Sequence, residues 1–170
     1  MPLSKNLIKK LETLDNHNVW ELFAFAKVQL KERGLVRTEN ITGERGEFLA
    51  IEAYNNIPGY SNLQAAPEGT QNVDALSRKG ERYSIKTITQ PGRLTGVFYN
   101  VGNVEDTILP DKKFEYVIIV SISKALEPVL IIELTWEKFL EFRKWHKTMR
   151  AWNLSLTKKL MAEAKIIFEL

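Results

Sequence analysis

Asn72-Val73-Asp74-Ala75-Leu76-Ser77 and Glu81-Arg82-Tyr83-Ser84-Ile85-Lys86-Thr87-Ile88-Thr89, separated by Arg78-Lys79-Gly80, form the stretch whose reading decides the fold. Residues 72–77 and 81–89 read as strands, and Arg78-Lys79-Gly80 as a tight hairpin connection. Alternation puts Ser84 and Lys86 on one face of the second strand and Tyr83, Ile85 and Thr87 on the other. The hairpin brings Asp74 alongside the far half of that strand. An acid and a lysine on adjacent strand faces are expensive to bury unless they serve each other or a metal.

Before this hairpin, residues 62–66 read as another short strand, and Thr42 as the N-cap of a helix running to about Tyr54. Glu44 suits the positive end of that helix's dipole. Positions 47, 50, 51 and 54 share a helix face reading Glu47, Ala50, Ile51 and Tyr54, one carboxylate on an apolar stripe. Upstream, helices are expected over 4–15 and 18–33, the second ended by Gly34. Downstream, a turn-rich stretch from Gln90 to Lys113 leads to strands at 115–122 and 129–134. The continuous apolar run in the first of these suits a strand covered on both faces. Thr135 is expected to cap a helix to about Arg150, and a last helix to cover 156–168. The class is α/β (α+β): one domain with a central mixed sheet, its core at about 40–135 and helical flanks at 1–39 and 136–170.

Composition narrows the chemistry. The 170-residue chain has no cysteine, which excludes disulfides, thiolate metal sites and cysteine nucleophiles. His17 and His146 have no ligand spacing, so a histidine zinc site is not expected. The N-terminus reads as a charged amphipathic stretch rather than a secretory segment, and no apolar run is long enough to span a bilayer. The expected location is cytoplasmic. Residues 1–40 carry seven Lys/Arg against five Asp/Glu, and residues 136–170 eight against four; the middle carries nine against twelve. An acidic centre between basic ends suits a protein that gathers a divalent cation centrally and touches a polyanion peripherally.

Glu47, Asp74 and Lys86 have a clear use on phosphodiesters. Two carboxylates hold Mg²⁺ (or Mn²⁺), a hard cation that prefers oxygen ligands, and the ion activates water and neutralises phosphate charge. A lysine orients or deprotonates the water, or stabilises the transition state. Asp74 followed across a hairpin by Ser84-Ile85-Lys86 resembles the PD-(D/E)xK signature of restriction endonucleases and related nucleases. Thr42-Gly43-Glu44-Arg45-Gly46-Glu47 resembles the glutamate-bearing helix start that precedes it, and the likeness extends over roughly residues 40–135.

The resemblance implies a Mg²⁺-dependent DNA endonuclease, of restriction type, with Glu47, Asp74 and the Ile85 carbonyl as metal ligands. Ser84 departs from the family pattern, standing where an acid is usual; Glu47 is the expected substitute, reaching from its helix to meet Asp74. Two rivals are a catalytically silent DNA-binding module on the same fold and a repair or junction nuclease. A homodimer suits an enzyme with one site per chain that cuts both strands. Arg93, just after the lysine strand, is a candidate phosphate contact. Arg143, Lys147 and Arg150, at i, i+4 and i+7 of the expected helix, form a candidate DNA-binding stripe. Trp136, Trp145 and Trp152 are expected to be core anchors.

Overall fold

The structure is a computed structural model that describes residues 3–170. They fall into two compact units, divided between Glu39 and Asn40. The first holds α1 (Lys5–Glu12) and α2 (Asn16–Glu32), capped by the Ser4 hydroxyl and the Asp15 carboxylate, which accept from the N–H groups of Leu7 and Asn18. Gly34 follows α2 at φ +66°, a conformation that suits glycine. Lys27 and Lys31 both bind Glu39, at 2.7 and 3.1 Å. No residue of α2 is buried, and Trp20, Phe23 and Phe25 are 71%, 51% and 62% exposed.

The second unit contains a six-stranded mixed sheet in the order β1 (Leu63–Ala65), β2 (Ala75–Ser77), β3 (Arg82–Thr89), β4 (Tyr116–Ile122), β5 (Pro128–Thr135), β8 (Lys165–Glu169). Strands β1, β2 and β3 form an antiparallel meander, β3 and β4 are parallel, and β5 and β8 continue antiparallel. Gly80 turns the β2–β3 hairpin at φ +83°. Strand β4 is buried on both faces, as its unbroken apolar run predicts. Val117 and Ile119 enter one core with Phe98, Phe114, Trp136 and Phe139. Ile118, Val120 and Ile122 enter the other, with Leu49, Ala50 and Tyr54 of α3 (Ile41–Asn56).

Three expectations are corrected. Asn40, not Thr42, caps α3, its Oδ1 accepting from the Gly43 N–H at 3.1 Å; asparagine is the stronger cap, and Thr42 falls inside the first turn. The helix begun by Thr135 ends early: α4 spans Trp136–Phe142, and the chain then forms a hairpin of β6 (Lys144–His146) and β7 (Ala151–Asn153). Trp145 and Trp152 face each other across it, ring centroids 5.0 Å apart, and this cross-strand pair outweighs the helical spacing of the basic residues. The last expected helix is only α5 (Lys158–Glu163), because Ile166, Ile167 and Phe168 complete the edge of β5 as β8. Residues 136–170 are therefore part of the sheet and its core, not a helical flank. No helix among the described residues is long and apolar enough to cross a membrane.

Candidate active site

The site forms where β2 stops and leaves the second half of β3 with an open edge. Asp74 immediately precedes β2, and its N–H still donates to the Tyr83 carbonyl at 2.8 Å. Its side chain then takes over the role of the missing strand. Oδ2 of Asp74 accepts from the Ile85 N–H at 2.6 Å and from the Ser84 hydroxyl at 3.3 Å. Both bonds fall on one oxygen, which leaves Oδ1 for another ligand. Ile85 N–H points to this edge, and in a strand the carbonyl of a residue points the same way as its N–H. The Ile85 carbonyl therefore also faces the Asp74 edge. Opposite parity agrees with this geometry: on the β4 side the Arg82 carbonyl accepts from the Glu115 N–H, and the Arg82 N–H donates to the Glu115 carboxylate.

Asp74, Ser84 and Lys86 share the sheet face that carries Ile88 and Phe98. Lys86 is half-buried, with Nζ 5.1 Å from the centre of the Phe98 ring. Among the described residues no ion pair with a carboxylate engages it. Phe98 was not singled out by the sequence, since it lies in the irregular 90–113 stretch and only the fold brings it under Lys86.

Glu47 arrives from the helix on the other face. Strand and helix meet at Gly46, where a Cβ would overlap Thr87 Oγ1, so only glycine permits this approach. Glu47, Ile51 and Asn55 are spaced i, i+4, i+8 and form one stripe. Asn55 bonds both the N–H and the carbonyl of Leu63 in β1, which fixes that stripe on the β1–β2 flank of the sheet. Arg45, about 200° around the helix from Glu47, points the other way and donates to the Leu126 carbonyl at 3.1 Å. Glu47 is half-buried rather than in bulk solvent. Glu44, expected to serve the dipole, is buried on the same flank, 7% exposed.

Two carboxylates and a carbonyl oxygen are a hard, all-oxygen donor set of the kind Mg²⁺ takes, with water completing its shell. Among the described residues no three Asp, Glu, His or Cys side chains converge to hold a metal. Ser84, by donating to Asp74, orients that carboxylate instead of adding a third one.

The four candidate DNA contacts separate. Arg93 is exposed and lines a cavity of about 520 Å³ with Gln90, Leu130, Leu156 and Met161. Arg143, Lys147 and Arg150 do not form a helical stripe. Arg143 lies 4.0 Å over the Trp152 ring and donates to the Val101 carbonyl at 2.7 Å. Burial lowers its pKa from the ordinary arginine value, against a smaller opposing effect of Asp106. Lys147 and Arg150 are exposed at the hairpin turn. Of the three tryptophans, Trp136 is buried in the core, whereas Trp145 and Trp152 are half-buried in the hairpin. Neither a protein-family model nor a curated protein matches the chain.

Proposed function

We propose that the protein is a Mg²⁺-dependent endodeoxyribonuclease of the PD-(D/E)xK type, acting in the cytoplasm in restriction-type defence. The observation that carries the reading is the Asp74 carboxylate, pinned through Oδ2 by Ile85 and Ser84 with Oδ1 left open. Beside it lie the edge carbonyl of Ile85 and, on the same strand face, Lys86. In this reading Glu47, from the helix on the other face of the sheet, supplies the second carboxylate. When bound, Mg²⁺ supplies Lewis acidity toward phosphate and water. Asp74 and Glu47 hold the ion, and Ser84 keeps Asp74 in its ligating rotamer. Lys86 presents a positive charge to the scissile phosphate and its nucleophile, where charge builds in the transition state.

A homodimer belongs to the same proposal, one site for each DNA strand. Trp20 and Phe23, in edge-to-face contact on one side of α2, and Phe25 on another are exposed aromatic rings that a second copy would cover. Sedimentation of the wild type and of Trp20→Glu/Phe25→Glu tests it, a monomeric wild type counting against it.

The absence of a third converging acid favours one alternative, a silent DNA-binding module on the same fold. Incubating plasmid and phage DNA with wild type and Asp74→Asn, with and without Mg²⁺, separates the two. Cleavage only by the wild type with metal supports the nuclease; equal inertness of both, with DNA still bound, supports the module. Forked and four-way substrates in the same assay distinguish restriction from repair or junction cleavage.

A further inference from the structure

The basic residues of the C-terminal part acquire a different meaning once they lie on a hairpin. From 142 to 162 the chain carries Arg143, Lys144, Lys147, Arg150, Lys158 and Lys159 and no Asp or Glu. The first four lie along the β6–β7 hairpin, Arg143 just before β6, Lys144 in it, and Lys147 and Arg150 at the turn. Lys144, Lys147 and Arg150 are exposed, and among the described residues no ion pair engages them. The turn between the strands is shaped by Arg150 at φ +47° and by the Met149 N–H donating to His146 Nδ1 at 3.2 Å.

The base of the hairpin is braced from below. Phe98 and Trp152 exchange backbone hydrogen bonds, at 2.6 and 3.2 Å. The Trp152 indole N–H donates to the Gly102 carbonyl at 2.8 Å, and Arg143 reaches Val101. Phe98 is also the ring beneath Lys86. The hairpin is therefore fixed to the backbone of the same residue whose ring the candidate catalytic lysine packs on. Its turn lies two to four strand residues further out, roughly 10 Å at about 3.3 Å each, which corresponds to about three base-pair steps of a duplex.

We propose that the β6–β7 hairpin enters the major groove of double-stranded DNA, with Lys144, Lys147 and Arg150 holding phosphates beside the scissile bond. The position relative to the scissile bond rests on the nuclease reading; the grip on duplex DNA does not. A two-stranded ribbon fits the major groove of B-form DNA, about 12 Å wide, without the widening that the minor groove, at about 6 Å, would need. The A-form major groove of RNA is deep and narrow and does not admit it. Arg143 is the strut that holds the ribbon, its guanidinium already committed to Val101 and Trp152.

The test is fluorescence anisotropy of a labelled DNA duplex with the full chain in Ca²⁺, comparing wild type, Lys144→Gln/Lys147→Gln/Arg150→Gln and Lys86→Ala. The triple variant should lose at least about tenfold in affinity near 0.1 M salt, and its slope of log affinity against log salt should fall by about 2–3. Its melting temperature should stay at the wild-type value, since among the described residues no ion pair or hydrogen bond engages the three side chains. Lys86→Ala should lower the slope by no more than about one unit, for the single phosphate it faces in the nuclease reading. An unchanged slope in the triple variant, a wild type that binds no duplex DNA, or equal competition by an RNA duplex overturns the proposal. Duplex binding through the hairpin without cleavage in Mg²⁺ upholds it while sinking the nuclease reading. Cleavage with the triple variant binding normally does the reverse.

Discussion

Asp74 and Ile85 are joined by a hydrogen bond of 2.6 Å from backbone N–H to carboxylate, so a side chain substitutes for the ladder partner that β2 no longer provides. Asp74 thus closes the β3 edge, and in the proposed nuclease it also offers a ligand oxygen. Asp74→Ala should cost about 1–3 kcal/mol, because the Ile85 N–H loses its acceptor. Asp74→Asn should retain most of that stability, since its amide oxygen accepts the same bond, yet abolish Mg²⁺-dependent cleavage. Urea unfolding of both variants beside the cleavage assay checks this. An Asn variant as active as wild type removes Asp74 from the metal site.

Lys86 should be separable from the fold in the same way. Its ammonium makes one described contact, over the Phe98 ring, worth about 0.5–1 kcal/mol. Lys86→Met keeps the apolar stem and removes the charge, so stability should fall by no more than that. Cleavage should fall by about 10²–10⁴-fold, the range for a group acting on the reacting atoms. Single-turnover rates at saturating enzyme decide it, and wild-type rates in the Met variant would exclude Lys86 from the chemistry.

Gly46 is the point at which helix and strand placement meet. Gly46→Ala forces a methyl onto Thr87 and should destabilise the protein by about 1–3 kcal/mol through overpacking. It should also lower cleavage, because α3 must shift and carry Glu47 with it. Thr87→Ala removes the hydroxyl and methyl that the new Cβ meets first, so the double variant should regain part of both losses. Strict additivity of the two substitutions, measured by urea unfolding, would mean that the contact does not set the position of α3.

The parts of this protein that were legible in its sequence are those where one local rule has no competitor. The β4 run Val117-Ile118-Ile119-Val120 has no polar face to give to solvent, so burial between two layers is forced, and two cores indeed cover it. The alternation through Tyr83-Ser84-Ile85-Lys86 placed Lys86 on the face it occupies. The C-terminal third misled because Arg143, Lys147 and Arg150 match a helical period while Trp145 and Trp152 match a strand pairing. Propensity is a weak prior there, and a contact between residues on different strands decided the outcome. Residues 165–169 carried the other misleading signal: the helix expected over 156–168 ignored the open edge of β5, which only the assembled sheet reveals. At the site, the place of Asp74 beside the lysine strand was readable but its replacing a strand was not, since nothing local announces that β2 begins only at Ala75.

The start of the parallel β3–β4 pair gives a prediction in pH. Arg82 binds Glu115 through its backbone N–H at 2.7 Å and through its guanidinium at 2.8 and 3.1 Å. The guanidinium hydrogen bonds, against the opposing effect of burial, push the Glu115 carboxyl down from 4.5 to about 2. A carboxylate depressed in the folded state stabilises it above the unfolded value and loses that contribution as pH falls through the folded one. The stabilisation should therefore be intact above about pH 4.5 and drain away between there and pH 2. With the Glu115 side chain 28% and Arg82 37% exposed, solvent screening leaves about 1–2 kcal/mol of the linkage energy. Glu115→Gln should be less stable than wild type by this amount at pH 6 and converge on it near pH 2. Urea midpoints measured in parallel from pH 2 to 6 check the window. Two curves that stay the same distance apart throughout would show that the pair is not a source of the acid sensitivity.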